Sequence, residues 1–402
     1  MVSPAVAEAG YPVSDIDPFS RDYLREPYPF HAQLREAGPV VWLSKWDSWA
    51  VARFAEVAAV LRDPTTFCSG AGVGVVNFNI EQPWRPPSLL LEADPPHHTR
   101  RRTVMGRVLS VPNLRKLKDG FERAANALID RIAARKNVDG VVEIAQAYVL
   151  QVFPDAVGLA PDGRENLLAY GNMVFNGFGP RNDVFLESTE EADAVRGWIM
   201  QRCERDALSP SGLGREVYAG VDAGEISTDE AILLVRSLLS AGVDTTVDAI
   251  GSILLCFGKH PAEWEKLRND PSRARSAIEE VLRYESPFQT FFRTTTCDVS
   301  LAGQKIEKNQ KIMVSIGSAN RDPARWKDPA TFDLDRKVAG QIAFGAGIHG
   351  CVGQMISRLE ADVFLTALAK RVAKIAITGD PVWKVNNTLR GLSSLPLTLH
   401  LS

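Results

Sequence analysis

The chain has 402 residues, 45% of them hydrophobic and 24% charged, an ordinary globular balance with enough apolar side chains for a large core. A formal net charge of −3 argues against nucleic acid or an anionic membrane surface as a general partner. Cys68, Cys203, Cys256, Cys297 and Cys351 are odd in number, scattered and without CxxC pairs, which argues against a disulfide framework and a structural zinc site.

The first ten residues lack a basic segment followed by an apolar run, and no stretch reads as a membrane span, so a cytoplasmic protein is expected. No repeat, low-complexity block or long linker divides the sequence, which leaves residues 1–402 as a single domain. Residues 28–37 and 54–62 have helical patterns, and 40–43 and 49–53 read as strands of a small sheet. Pro83 to Ser88 is too rich in proline for a helix and reads as a loop across a cavity. The run Ala93 to Arg102 starts a helix with a basic face.

Helical patterns cover 114–160, 164–178 and 189–222, separated at Pro154, Pro161 and Pro180. The segment 230–257 predicts one buried helix of roughly seven turns. Its middle carries Ser237, Ser240, Asp244, Thr245 and Thr246 where a core helix would carry Leu or Ala. Spacings of three and four place Ser237, Ser240 and Asp244 on one face, with Thr245 beside it. Two readings are open. The hydroxyls bond back to preceding carbonyls while Asp244 pairs elsewhere, or the polar residues form a functional site.

Glu280 and Arg283, three apart in a helix ending at Pro287, read by themselves as a surface pair worth about 0.2–0.5 kcal/mol. Residues 291–296 and 311–315 are β-rich, and 386–396 reads as a hairpin whose tip reaches the cavity.

The most informative stretch is Phe344-Gly345-Ala346-Gly347-Ile348-His349-Gly350-Cys351-Val352-Gly353. Its four glycines allow positive φ or close approach of a flat group, and a helical pattern from Gln354 puts Cys351 at a helix N-terminus, where a thiolate is favoured. We read Cys351 as an iron ligand.

This loop resembles the cysteine-ligand loop of the cytochromes P450. The resemblance implies a mainly α fold with small β-sheets and a haem b held by the Cys351 thiolate. His98, Arg102, Arg293 and His349 match its haem-propionate positions. Ala241 to Thr246 resembles its oxygen-binding helix, which makes Asp244 and Thr245 the acid and alcohol that manage proton delivery to O2. Glu280, Arg283 and Arg336 match a structural triad that supports the cysteine loop. The sequence has no GxGxxG after a strand, so electrons are expected from a separate iron–sulfur ferredoxin and its reductase. Arg100, Arg101, Arg358, Lys370 and Arg371 are candidate docking residues for an acidic partner.

Segments 84–88, 174–179, 236–237 and 289–293 resemble those of the subfamily that oxidises para-substituted benzoic acids. That implies a small aromatic carboxylic acid, its carboxylate near Arg85, Ser88, Arg236 and Ser237 and its ring gripped by Phe175, Phe178 and Phe291, with Ser240 and Phe288 also in the pocket. Phe288 departs from the subfamily, where a smaller aliphatic residue is expected. The alternatives are the same chemistry on a terpene, fatty acid or other apolar molecule, and a haem-thiolate sensor.

Overall fold

The computed structural model describes residues 10–133 and 135–401, and its architecture is mainly α with small β-sheets. The largest sheet has six strands: β1 (Val13–Ser14), β2 (Val41–Leu43), β3 (Ser48–Val51), β4 (Phe67–Cys68), β5 (Thr290–Thr295) and β6 (Lys311–Ser315). Their spatial order is β1-β2-β3-β6-β5-β4, so strands distant in sequence meet at its centre. Arg293 lies opposite Ile312 in the antiparallel β5–β6 pair, which carries its side chain from the sheet to the cavity. The helices Tyr28–Ala37 and Phe54–Arg62 have the bounds expected from sequence.

Six helices position the site: α1 (His97–Val108), α2 (Asn166–Asn176), α3 (Thr228–Gly242), α4 (Asp244–Lys259), α5 (Ala274–Glu285) and α6 (Gln354–Arg371). α3 starts with a capping box in which the Ser227 hydroxyl accepts from the Glu230 N–H and the Glu230 carboxylate accepts from the Ser227 N–H. α4 contributes Val247, Ile250, Ile253, Leu254 and Phe257 to the main core, and burial of such side chains is worth about 1.5–3 kcal/mol each.

Three expectations need correction. Pro154 does not end a helix, because it lies within Ala147–Val157. Its missing N–H leaves the Leu150 carbonyl without the usual helical donor, and Arg164 donates there at 3.3 Å and to Gln151 O at 3.2 Å. The single helix expected over 230–257 is two, broken at Val243 (φ −89°, ψ −70°). Thr228–Lys259 taken together is long and apolar enough to cross a membrane, against the sequence expectation, but 83% of its most apolar 18-residue window is buried inside the fold.

The expected C-terminal hairpin forms by pairing Val382–Trp383 with Leu392–Ser394. Its tip stops one layer behind the cavity, where Leu389 packs with Phe175 and Phe178.

Candidate active site

The cysteine loop turns at Gly345 (φ +72°) and Gly347 (φ +70°), a region that side chains with a Cβ rarely adopt. A Cβ on Gly347 would also lie 2.4 Å from Leu61 O. Gly350 and Gly353 have negative φ (−51° and −83°), so the reason offered for all four glycines holds for two. The Cys351 N–H donates to Phe344 O at 2.8 Å, closing the loop. α6 begins three residues beyond the cysteine, and the Gly353 and Gln354 N–H groups donate to the sulfur. Burial pushes the Cys351 thiol up, while these donors, Arg102 and Arg358 pull it down. Arg358 lies 4.4 Å from the Phe344 ring centroid and pairs with Glu279, holding the loop on α5.

Cys351 opens into a cavity of about 1800 Å³, mouth included, whose wall also carries His98, Arg102, Arg293 and His349. The rings of His98 and His349 lie 4.4 Å apart, and His98 Nδ1 and His349 Nε2 are buried without a partner. Arg293, 2% exposed, donates only to the neighbouring Phe292 O at 2.8 Å, and burial pushes its guanidinium down to about 10. His349 is pushed down to about 3, first by burial and then by the positive charge of Arg293, His98 and Arg102. Four donor side chains thus converge with too few acceptors. The set fits a flat group with an iron-binding face on Cys351 and anionic edges on these donors.

On the opposite wall lie Ser237, Ser240, Ala241, Thr245 and Thr246. Ser237 donates to Leu233 O at 2.8 Å, Ser240 to Ser237 O at 3.4 Å and Thr245 to Ala241 O at 2.8 Å. The back-bonded reading of these hydroxyls therefore describes the chain, although all three line the cavity. Asp244 departs from the face that helical spacing assigned it. The break at Val243 rotates α4 relative to α3, and Asp244 is not on the cavity wall but packs against α2, where a Cβ on Gly171 would lie 1.7 Å from Oδ2. Lys384 pairs with it at 3.4 Å, and burial holds its carboxyl above the usual range against that pull.

Arg85, Ser88, Phe175, Phe178, Arg236, Phe288 and Phe291 all line the cavity. Phe288 stacks on Phe291 at 4.0 Å and meets Phe175 edge-on at 5.9 Å, so it does narrow the aromatic wall. Arg85 is not the free cation that its assignment required. It pairs with Glu92 at 2.8 Å, and the same Glu92 oxygen accepts from the Ser88 N–H at 2.7 Å. Arg236 has no ion-pair partner among the described residues, and Ser237 follows it on the same wall.

Glu280 and Arg283 are not a surface pair, being 1% and 0% exposed. Arg283 binds Glu280 at 2.6 and 2.8 Å and the carbonyls of Asn320, Pro329 and Thr331, while Arg336 joins Glu280 at 3.2 Å. The proposed docking cations are also mostly engaged: Arg100 and Arg101 with Glu230, Arg358 with Glu279 and Arg371 with Asp130. Lys370 remains exposed in the last turn of α6.

Sequence reasoning missed Glu92, Glu360 and Lys384. Glu360 lies on the cavity wall beside Thr246, and burial pushes its carboxyl well above the usual range. Its signal was a carboxylate on the apolar stripe Ile356-Glu360-Phe364. Glu92 and Lys384 are single charges in irregular segments, with no periodicity to mark them.

The fold and the thiolate-centred cavity define a haem-thiolate protein. Residues 201–399 match the family described as Cytochrome P450. Over 400 residues the chain is 53% identical to cytochrome P450 CYP199A2 of Rhodopseudomonas palustris, covering 99% of this chain and 97% of that one. It is 29% identical to the vitamin D(3) 25-hydroxylase of Pseudonocardia autotrophica, covering 95% and 96% respectively. The solved structure of CYP109Q5 from Chondromyces apiculatus superposes with a TM-score of 0.81 at 29% identity, over 96% of this chain and 98% of that one. The chain belongs to the cytochrome P450 family, whose members bind haem through a cysteine thiolate and act as monooxygenases using O2 and a redox partner.

Proposed function

We propose that this monooxygenase takes its electrons from a separate iron–sulfur ferredoxin and its reductase and oxidises a para-substituted benzoic acid, for example by O-demethylation of 4-methoxybenzoate to 4-hydroxybenzoate and formaldehyde. The observation that carries the substrate assignment is Arg236, a cation without an ion-pair partner beside Ser237 on a wall otherwise built of Phe175, Phe178, Phe288 and Phe291. A carboxylate there gains charge-assisted hydrogen bonds worth about 1.5–3 kcal/mol each, enough to fix one end of a flat ring and aim its para group away from Arg236. The carboxylate anchor is thus Arg236 and Ser237, with Arg85 contributing packing on the Phe178 ring at 5.6 Å.

Haem b, when bound, supplies the oxygen activation and insertion chemistry. Cys351 holds the iron, and His98, Arg102, Arg293 and His349 hold the propionates. Thr245 presents its hydroxyl to the cavity, while Asp244 passes protons toward it from the Lys384 side, behind the wall.

Titration with 4-methoxybenzoate is expected to shift the Soret band toward high spin. The uncharged 4-methoxytoluene should bind at least ~10-fold more weakly, the loss of one charged hydrogen bond. Equal affinities would remove the carboxylate anchor. They would favour the second reading, an uncharged apolar substrate, to which the neutralised Arg85–Glu92 pair is also suited. Thr245→Ala is expected to divert most reducing equivalents to hydrogen peroxide, measured as peroxide released per NADH consumed, and unchanged coupling would count against the Thr245 hydroxyl.

A further inference from the structure

One turn after Asp244 on α4 stands a second buried carboxyl, Asp248, only 4% exposed. The i, i+4 spacing puts the two acids on one face. Asp244 Oδ2 and Asp248 Oδ2 are both buried without a hydrogen-bond partner. The C-terminal hairpin covers both. Its Lys384 N–H donates to Gly391 O at 2.9 Å, so these residues lie across the hairpin from each other. Lys384 Nζ reaches Asp244 at 3.4 Å, while Gly391 closes over Asp248 so tightly that a Cβ there would lie 1.9 Å from Oδ1.

Two charged groups act on Asp248, Lys384 from the hairpin and Asp244 from its own helix. On another side α4 meets the helical turn Gly140–Gln146 through apolar contacts, with Gly140 near Leu254 and Gly251 near Val141.

We propose that Asp248 is a positioning residue for proton delivery in the monooxygenase reaction: with Asp244 and Lys384 it forms a cluster of two carboxyls and one ammonium that stores an exchangeable proton behind Thr245. The inference rests on the reading of Asp244 and Thr245 as the proton path.

Its reason is charge counting in a buried place. Two carboxylates facing one ammonium leave an uncompensated negative charge, and retaining one proton on the pair removes it. Burial, with Asp244 adding to it and Lys384 opposing it, pushes Asp248 up to about 7. The proton then belongs to the pair and not to one acid. When Asp244 gives up a proton toward Thr245, the one stored at Asp248 replaces it. Bulk water restores the store on the side of Lys384, whose side chain is 25% exposed. No electrons move in this exchange.

The test uses the haem-loaded full chain and two measurements. The first is infrared titration of the buried carboxyls, which needs neither substrate nor turnover. The wild type is expected to show a protonated-carboxyl band that disappears as pH rises through roughly 7, and Asp248→Asn, which keeps size and shape, is expected to lose it. Lys384→Gln should move the loss of the band to higher pH, because the opposing cation is gone. A band identical in wild type and Asp248→Asn overturns the proposal.

The second is oxygen uptake with 4-methoxybenzoate, NADH and saturating ferredoxin and reductase, between about pH 6 and pH 9. Asp248→Asn is expected to lower the rate about tenfold above pH 7 and to raise the solvent isotope effect. Asp244→Asn should lower it by ~100-fold or more, as for a direct proton donor. If Asp244→Asn slows uptake and Asp248→Asn tracks the wild type, the proposal fails alone. If Asp244→Asn has no effect, the proton path beneath it fails.

Discussion

Arg283→Ala is expected to lower the unfolding free energy by about 3–5 kcal/mol, the cost of leaving one member of a buried ion pair alone. The structure explains why the loss falls at this end of that range or beyond. Glu280 would keep only Arg336 at 3.2 Å and the Asp333 N–H at 3.1 Å, while the carbonyls of Asn320, Pro329 and Thr331 would lose a shared donor. These carbonyls lie in the segment between β6 and the cysteine loop, so Arg283 fastens α5 to the chain that leads to Cys351. Arg283→Lys should recover little, because one ammonium cannot reproduce the planar fork that meets both Glu280 oxygens and three carbonyls. Chemical denaturation of the haem-loaded protein checks the magnitude, and a loss below about 1 kcal/mol, as for a solvated pair, would contradict it.

Cys351→Ser is expected to abolish the thiolate-type band in the reduced carbon-monoxide difference spectrum. It should also cut product formation at least ~100-fold, equivalent to about 2.7 kcal/mol on a barrier. The loop itself should survive. Its closing bond is made by the Cys351 backbone N–H and its turn by Gly345 and Gly347, none of which involves the sulfur. What serine cannot supply is a soft, readily ionised donor under the Gly353 and Gln354 N–H groups. Retention of the thiolate band in this variant would remove Cys351 as the ligand.

The contrast between these two sites shows which information lies on the surface of a sequence. The cysteine loop was legible because its glycines, its thiol and the helix beyond it are consecutive, and each restricts the others. The face of α3 was legible as far as Ser240, since helical spacing governs it. That spacing failed at Asp244 because it assumes an unbroken helix, and the break at Val243 is a backbone event carried by no unusual residue there. Burial of Glu280 and Arg283 was hidden for a different reason. Their partners, at 320, 329, 331 and 336, come from a segment whose approach no local pattern announces. Arg85 was assigned correctly to the cavity but wrongly as a free cation, since a loop gives no spacing rule that would pair it with Glu92.

The C-terminal hairpin joins matters that the chain otherwise keeps apart. Lys384 and Gly391 stand at its base, on the two aspartates, and Leu389 stands near its tip, behind Phe175 and Phe178. It is therefore a short lever with one arm on the wall that measures the substrate and the other on the acids of α4. A guest large enough to press the aromatic wall outward pushes on Leu389, and the load passes along five residues to Lys384. Size selection and proton supply are mechanically in series here, so enlarging the pocket at the phenylalanines and retuning the acids are not independent engineering choices.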